Sequence, residues 1–176
     1  MASRNLQTAS SPSRTAAKGD DDLPLERSVG YQVRMTHRAL QRYLQIKIKP
    51  HGVTLGTWYF LRALWHEDGL TQRELSRRIG TREPTTMTAI LAMEANGLVR
   101  RVRNGADRRK QNVFLTAKGR RLKSKLLPLA KEVVSTATAG FSERGVVLFL
   151  GFLSAVQRNL EPVVVDETTE SEIDIS

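Results

Sequence analysis

The sequence contains no cysteine. Disulfides, thiolate zinc sites and thiol-based redox sensing are thereby excluded, and the composition suits a reducing compartment. Histidine is nearly as scarce. His37, His51 and His66 are scattered, with no H-E-x-x-H spacing or acid cluster beside them, so neither a metal nor a cofactor is expected. Long apolar runs are missing as well: the most apolar stretch, Val146–Leu153, is too short to span a bilayer and is interrupted by Gly151. The segment MASRNLQTASSPSRTAAKG has no apolar core of signal-peptide length. These two absences lead to the expectation of a cytoplasmic chain with no membrane partner.

What is present is positive charge, unevenly placed. The net charge is +10 over 176 residues. Residues 1–22 balance Arg4, Arg14 and Lys18 against three aspartates, while 161–176 carry six acids and no base, which leaves +16 on residues 23–160. A merely solvated surface would mix the two signs; a folded core this basic points to a polyanion. Residues 1–22, rich in Ser, Thr, Ala and Asp, read as a disordered tail, and residues 162–176 as an acidic disordered tail. The length allows one core with an appended dimerisation layer.

Between the tails the pattern is mostly helical. Leu25, Val29, Val33, Leu40, Leu44 and Ile48 recur at helical spacing, and Pro50 and Gly52 end that helix. Thr54 can cap a second helix from Leu55 to Trp65. Thr71-Gln72-Arg73-Glu74 reads as a capping box that opens a short helix ending at Gly80. A longer helix follows, with Pro84 in its first turn and Gly97 at its end. A short helix, a tight glycine turn and a longer helix form the helix-turn-helix layout. With Thr86, Ala89, Ile90 and Met93 turned inward, Thr81, Arg82, Thr85 and Thr88 face out as candidate DNA contacts. Glu83 can accept from cytosine or simply serve the helix N-terminus.

Leu98 to Arg103 then alternates apolar and basic residues, as a half-buried strand does. Asn104-Gly105 signals a hairpin and Asn112–Leu115 returns. Thr116 can cap a helix running to about Ala137 with Pro128 inside it, and Ser142 a last helix to about Leu160. Between Val99 and Lys125 stand eleven bases and one acid, Asp107. Arg103, Arg108, Arg109 and Lys110 sit on or beside the hairpin tip. Weakly hydrated guanidinium groups there suit the negative potential of a narrow minor groove.

This order of elements resembles the multiple-antibiotic-resistance regulator (MarR) family over roughly residues 25–160. Gly97-Leu98-Val99 is similar to that family's exit from the recognition helix. Asp107-Arg108-Arg109, followed by Leu115-Thr116-Ala117-Lys118-Gly119, resembles its wing signature. The resemblance implies a mostly α fold with a two-stranded β-wing, and a winged helix-turn-helix over 54–116. N- and C-terminal dimerisation helices would fall in 23–53 and 117–161. It also implies that Arg109 enters a minor groove and that Asp107 steadies the wing. The uncharged interior of the recognition helix, Thr85 to Ala92, departs from the family's pattern and leaves its base contacts open.

The partners expected are double-stranded DNA and a second copy of the chain. One helix-turn-helix covers one half-site, and Val146–Leu153 is apolar nearly all round, too apolar for one packed face. By resemblance alone, a small aromatic or acyl-CoA-type effector would bind near Arg34, His37, Trp58, Tyr59 and Trp65. Aromatics at helical spacing also make ordinary core. A repressor is expected. The alternatives are a sequence-neutral architectural DNA-binding protein and a nucleic-acid-acting enzyme. The second has no motif behind it.

Overall fold

The computed structural model describes residues 24–173, with side chains described through Glu161. The tail expected over 1–22 lies outside the described residues. The chain divides into two compact units between His37 and Arg38. Among the described residues, two short 3-10 turns aside, the α-helices and strands follow in the order α1 (Val29–Ile48), α2 (Leu55–His66), β1 (Leu70–Thr71), α3 (Gln72–Ile79), α4 (Glu83–Ala95), β2 (Val99–Arg103), β3 (Gln111–Leu115), α5 (Ala117–Ala137) and α6 (Glu143–Ile173).

In the N-terminal unit, a 3-10 turn over Leu25–Arg27 precedes α1. The helix predicted from Leu25 therefore starts later. Ser28 is extended, with ψ 115°, and its Oγ accepts from Tyr31 N. That side-chain bond offers the backbone a capping geometry in place of a continuous helix. Leu25, Val29 and Val33 are exposed.

In the second unit the predicted caps are formed. Thr54 Oγ1 accepts from Thr57 N at 3.2 Å, Thr116 Oγ1 from Gly119 N at 3.1 Å and Ser142 Oγ from Gly145 N at 3.1 Å. Each satisfies one of the backbone donors that a helix start leaves free. One core gathers Leu44 and Ile48 of α1 with Leu61, Leu64, Leu75, Ile90 and Met93 of α2 to α4. Val99, Val113 and Leu115 of the sheet and Leu126 of α5 close it. Pro128 lies inside α5 without ending it.

The expected two-stranded wing is present as β2 and β3, and a third strand extends it into an antiparallel sheet in the order β1-β3-β2. Leu70 pairs with Val113 and Thr71 with Asn112. A two-residue strand is too short to show any alternation, and Thr71 serves at once as strand end and as the cap of α3. The last helix also continues to Ile173 rather than stopping near Leu160. Acidity argues against burial of that segment, but every backbone bond of an α-helix closes within the helix and needs no burial. On α6, Val147 to Leu150 and Phe152 are between 40 and 68% exposed. No helix among the described residues is long and apolar enough to cross a membrane.

Candidate nucleic-acid interface

The capping box that starts α3 is complete. Glu74 N donates to Thr71 Oγ1 at 3.3 Å, and Glu74 Oε2 accepts from both Thr71 N and Thr71 Oγ1 at 2.7 Å. The Thr71 hydroxyl and then its backbone N–H hold the Glu74 carboxyl below its usual range. Gly80 ends α3 at φ +70°, a left-handed conformation that favours glycine. Gln72 Nε2 donates to the Glu83 carbonyl at 3.1 Å, tying the start of α3 to that of α4. This fixes the angle of the helix that follows.

On α4, Thr86, Ile90 and Met93 are buried and Ala89 packs against the core. Of the predicted contact residues, Arg82, Thr85 and Thr88 are exposed and Thr81 is half-buried. Arg82 is the N-cap residue, and its guanidinium, which has donors only and cannot cap, is exposed. Thr88 Oγ1 donates back to the Pro84 carbonyl at 3.1 Å.

The wing pairs Val99 with Leu115 through to Arg103 with Gln111. Asn104 shapes its tip: Oδ1 accepts from Ala106 N and Asp107 N, both at 2.9 Å. Asp107 Oδ1 accepts from Arg109 N at 3.1 Å and Arg109 Nε at 3.3 Å, and Lys110 Nζ lies 3.7 Å from Oδ2. Those Arg109 bonds pull the Asp107 carboxyl below its usual range. The Arg109 side chain nevertheless stays 91% exposed. Arg103 and Arg108 are also exposed. Beneath the wing a cleft of about 930 Å³ separates it from α3 and the start of α4. Met87, Ile90 and Val113 are among its lining residues, as are the cations of Arg73, Arg77 and Lys110.

Several ties that matter here went unread in the sequence. Glu94 of α4 accepts from Arg101 of β2 three times: from N at 3.1 Å, Nε at 2.9 Å and Nη2 at 2.8 Å. Both ends of the pair are charged, which makes it one of the stronger kinds of hydrogen-bonded contact. It locks the wing to the recognition helix. Asp68 accepts from Gly69 N, Leu115 N and Arg120 Nη2, joining the α2–β1 turn to β3 and α5. Asn112 completes a relay from the wing tip, taking a bond from Asn104 and donating to the Gly69 carbonyl at 2.6 Å. The Glu-x6-Arg spacing of Glu94 and Arg101 was the one visible signal, since a tight glycine turn between helix and strand brings those positions together.

The residues predicted to meet an effector divide. Trp58 is buried and meets Trp65 edge to face at 5.8 Å. Trp65 Nε1 donates to the Gly119 carbonyl at 3.0 Å. Trp58 belongs to the buried core, and Trp65 is half-buried against it. Tyr59 is 37% exposed and Gln41 Nε2 reaches its hydroxyl at 3.5 Å. Arg34 and His37 belong to the N-terminal unit and are exposed on α1. No group of three His, Asp or Glu among the described residues can hold a metal ion.

A capped short helix, a glycine turn, an exposed second helix and an arginine-tipped hairpin define a winged helix-turn-helix, the DNA-reading unit of many transcription regulators. Comparison with known proteins agrees. Residues 51–110 match the MarR family. The chain is 31% identical over 129 residues to the HTH-type transcriptional regulator TtmR of Methylorubrum extorquens, covering 73% of this chain and 66% of that protein, about two thirds of the relative's length. A MarR transcriptional regulator from Methanosarcina mazei is 31% identical, with a TM-score of 0.71 over 77% of this chain and 97% of that one. Bordetella bronchiseptica BpsR, whose DNA binding is regulated by 6-hydroxynicotinic acid, shares the fold at 22% identity and TM-score 0.68, over 73% of this chain and 98% of that one. The chain belongs to the MarR family and is a DNA-binding transcription regulator, not an enzyme.

Proposed function

We propose that this regulator is a repressor that binds a pseudo-palindromic operator as a homodimer and is released by a small aromatic or acyl-CoA-type effector. In this reading residues 54–116 form the DNA-binding lobe, and 23–53 with 117–161 the dimerisation region. The observation that carries it is the placement of the exposed face of α4 beside the wing, in one unit braced by Glu94 and Asp107. A helix in the major groove and an arginine tip in the adjacent minor groove need that fixed separation. The phosphate strand running between the two grooves would cross the cleft, where Arg73, Arg77 and Lys110 can neutralise it. The apolar side chains exposed on α6 support a second copy, and two copies would place half-site centres about one helical turn, roughly 10 bp, apart.

For the effector, the ligand control described for BpsR supports an aromatic acid. Within the second unit, Tyr59 is the exposed candidate to meet it. Tyr59→Ala should then weaken effector-driven release while leaving operator affinity unchanged.

The test of the main reading is Arg109→Ala, titrated by fluorescence anisotropy against operator and scrambled duplex at several salt concentrations. Most of what an exposed wing arginine contributes is neutralisation of phosphate. The substitution should therefore weaken both duplexes together and flatten the slope of log affinity against log salt by about one. An unchanged slope and affinity would remove the wing from the DNA interface. Equal affinity of the native chain for operator and scrambled duplex would instead identify an architectural DNA-binding protein.

A further inference from the structure

The outward face of α4 carries a row of side chains about one turn apart: Pro84, Thr88, Leu91 and Ala95. All four are exposed, Leu91 by 46%, and they lie opposite the buried Thr86, Ile90 and Met93. No charge falls on this row. The ionisable side chains of α4 are Glu83, in the first turn, and Glu94, which is held by Arg101. Thr88 gives its hydroxyl proton to the Pro84 carbonyl. A threonine hydroxyl has a single proton to donate, so a ligand meets the Thr88 methyl and the oxygen lone pairs. Cations stand on neighbouring elements: Arg82 before α4, Arg73 and Arg77 of α3 in the cleft that Met87 and Ile90 also line, and the arginines of the wing. A polyanion is thus drawn onto a helix whose centre presents methyl groups. In the major groove, one base edge alone carries an apolar group, the C5 methyl of thymine.

We propose that α4 reads its half-site through thymine methyls, with Thr88 and Leu91 as the specificity-determining residues. The inference rests on the reading above that α4 enters the major groove of an operator. It explains how a recognition helix without a charged side chain on its exposed centre can still discriminate sequence: A·T pairs are favoured where their methyls bury Thr88 and Leu91. A C·G pair at the same place has no methyl, so the apolar surface of Thr88 and Leu91 gains no burial there.

The experiment selects preferred duplexes from a random pool with the full chain. The selected operator is then resynthesised with deoxyuridine in place of thymidine, which removes the methyl and keeps every hydrogen-bonding group. We expect A·T pairs beneath α4 in both half-sites. Each buried methyl should carry about a fourfold preference, or roughly 15-fold for the two symmetric copies. Both variant positions are exposed, so folding is not at risk. Thr88→Ser keeps the hydroxyl and loses the methyl, so its thymine-to-uracil ratio should fall towards one. Thr88→Val keeps the methyl and should retain the ratio, and Leu91→Ala should lower it. Equal binding of thymine and uracil duplexes, or an undiminished ratio in both Thr88→Ser and Leu91→Ala, overturns the inference and leaves the operator reading intact. A pool that returns no preferred sequence overturns both.

Discussion

Gly119→Ala is a single-methyl substitution whose outcome the packing fixes in advance. Gly119 lies in the first turn of α5, buried against the segment that leaves the recognition helix. A Cβ at this position would fall inside contact distance of the Leu98 carbonyl oxygen and 3.0 Å from Leu115 Cδ2. Leu115 can adjust, but the carbonyl cannot easily retreat. It already accepts from Thr116 N at 3.0 Å and Thr116 Oγ1 at 3.2 Å, and those bonds seat the N-terminus of α5. Shifting α5 instead strains the bond from Trp65 Nε1 to the Gly119 carbonyl. Overpacking of this kind costs about 1–3 kcal/mol, and the obstructing atom is backbone, which places Gly119→Ala at the upper end. Replacing glycine by alanine inside a helix returns up to about 1 kcal/mol, so a net loss of about 2 kcal/mol is expected.

Urea unfolding followed by far-UV circular dichroism, at one fixed protein concentration so that association would enter every variant equally, gives the number. The control is Gly56→Ala in the first turn of α2, where the nearest atom to a new Cβ is Thr54 Oγ1 at 3.8 Å. That variant should be neutral or slightly stabilised. A Gly119→Ala protein as stable as the native chain would refute the packing argument. It would also leave the glycine of the Leu-Thr-x-x-Gly signature without a physical reason.

Four further outcomes follow from particular groups. Thr86 Oγ1 is buried on α4 with no partner, so Thr86→Val, which removes an unmatched hydroxyl at constant shape, should stabilise by about 1 kcal/mol; a lower melting temperature would contradict this. Arg101 donates to Glu94 and Arg109 to Asp107, and both carboxyls lie below their usual range. A depressed folded-state pKa contributes stability above the unfolded value near ~4 and loses it as pH falls through the folded value. The amide resonances of Asn104–Lys110 should therefore shift and broaden below about pH 4, less steeply in Glu94→Gln; a wing unchanged there would sink the claim. Light scattering at micromolar concentration should give twice the 19.7 kDa chain mass, and Phe152→Glu should yield monomer or aggregate, whereas a folded native monomer would exclude the α6 interface. On the operator, Arg82→Ala should relax the preference at one base pair by about 1–3 kcal/mol if Arg82 reads guanine; a uniform loss across sequences would assign it to phosphate.

Local signals carried most of the fold. Thr54, Thr71, Thr116 and Ser142 marked four helix starts because a cap is a bond between residues two or three apart, and such a bond is written in consecutive letters. Gly80 and Gly97 marked two ends for the same reason. What stayed hidden was long-range. The pairing of Leu70 with Val113 closes 43 residues of chain, and Asp68 reaches Leu115 across 47. No periodicity in a window of ten residues contains either. The extent of α6 is hidden for a different reason: acidic residues bear on burial and do not stop a helical backbone.

The hairpin and α5 show the same limit in the charge count. Eleven bases stand between Val99 and Lys125, and the fold sorts them. Lys118 Nζ donates to the carbonyl of Asn96, the residue that caps the C-terminal end of α4, and Lys123 Nζ to the carbonyl of Trp65 in the last turn of α2. A cation at a helix C-terminus satisfies carbonyls that the helix leaves open and opposes its dipole. Arg120 is committed to Asp68 and Arg101 to Glu94. Four of the eleven therefore hold the recognition helix, the wing and α5 in register. The other seven are exposed, with Arg103, Arg108, Arg109 and Lys110 on or beside the wing tip, where a polyanion would meet them. The positive charge of this segment has two separable roles, one that builds the DNA-reading surface and one that uses it, and composition alone sees only their sum.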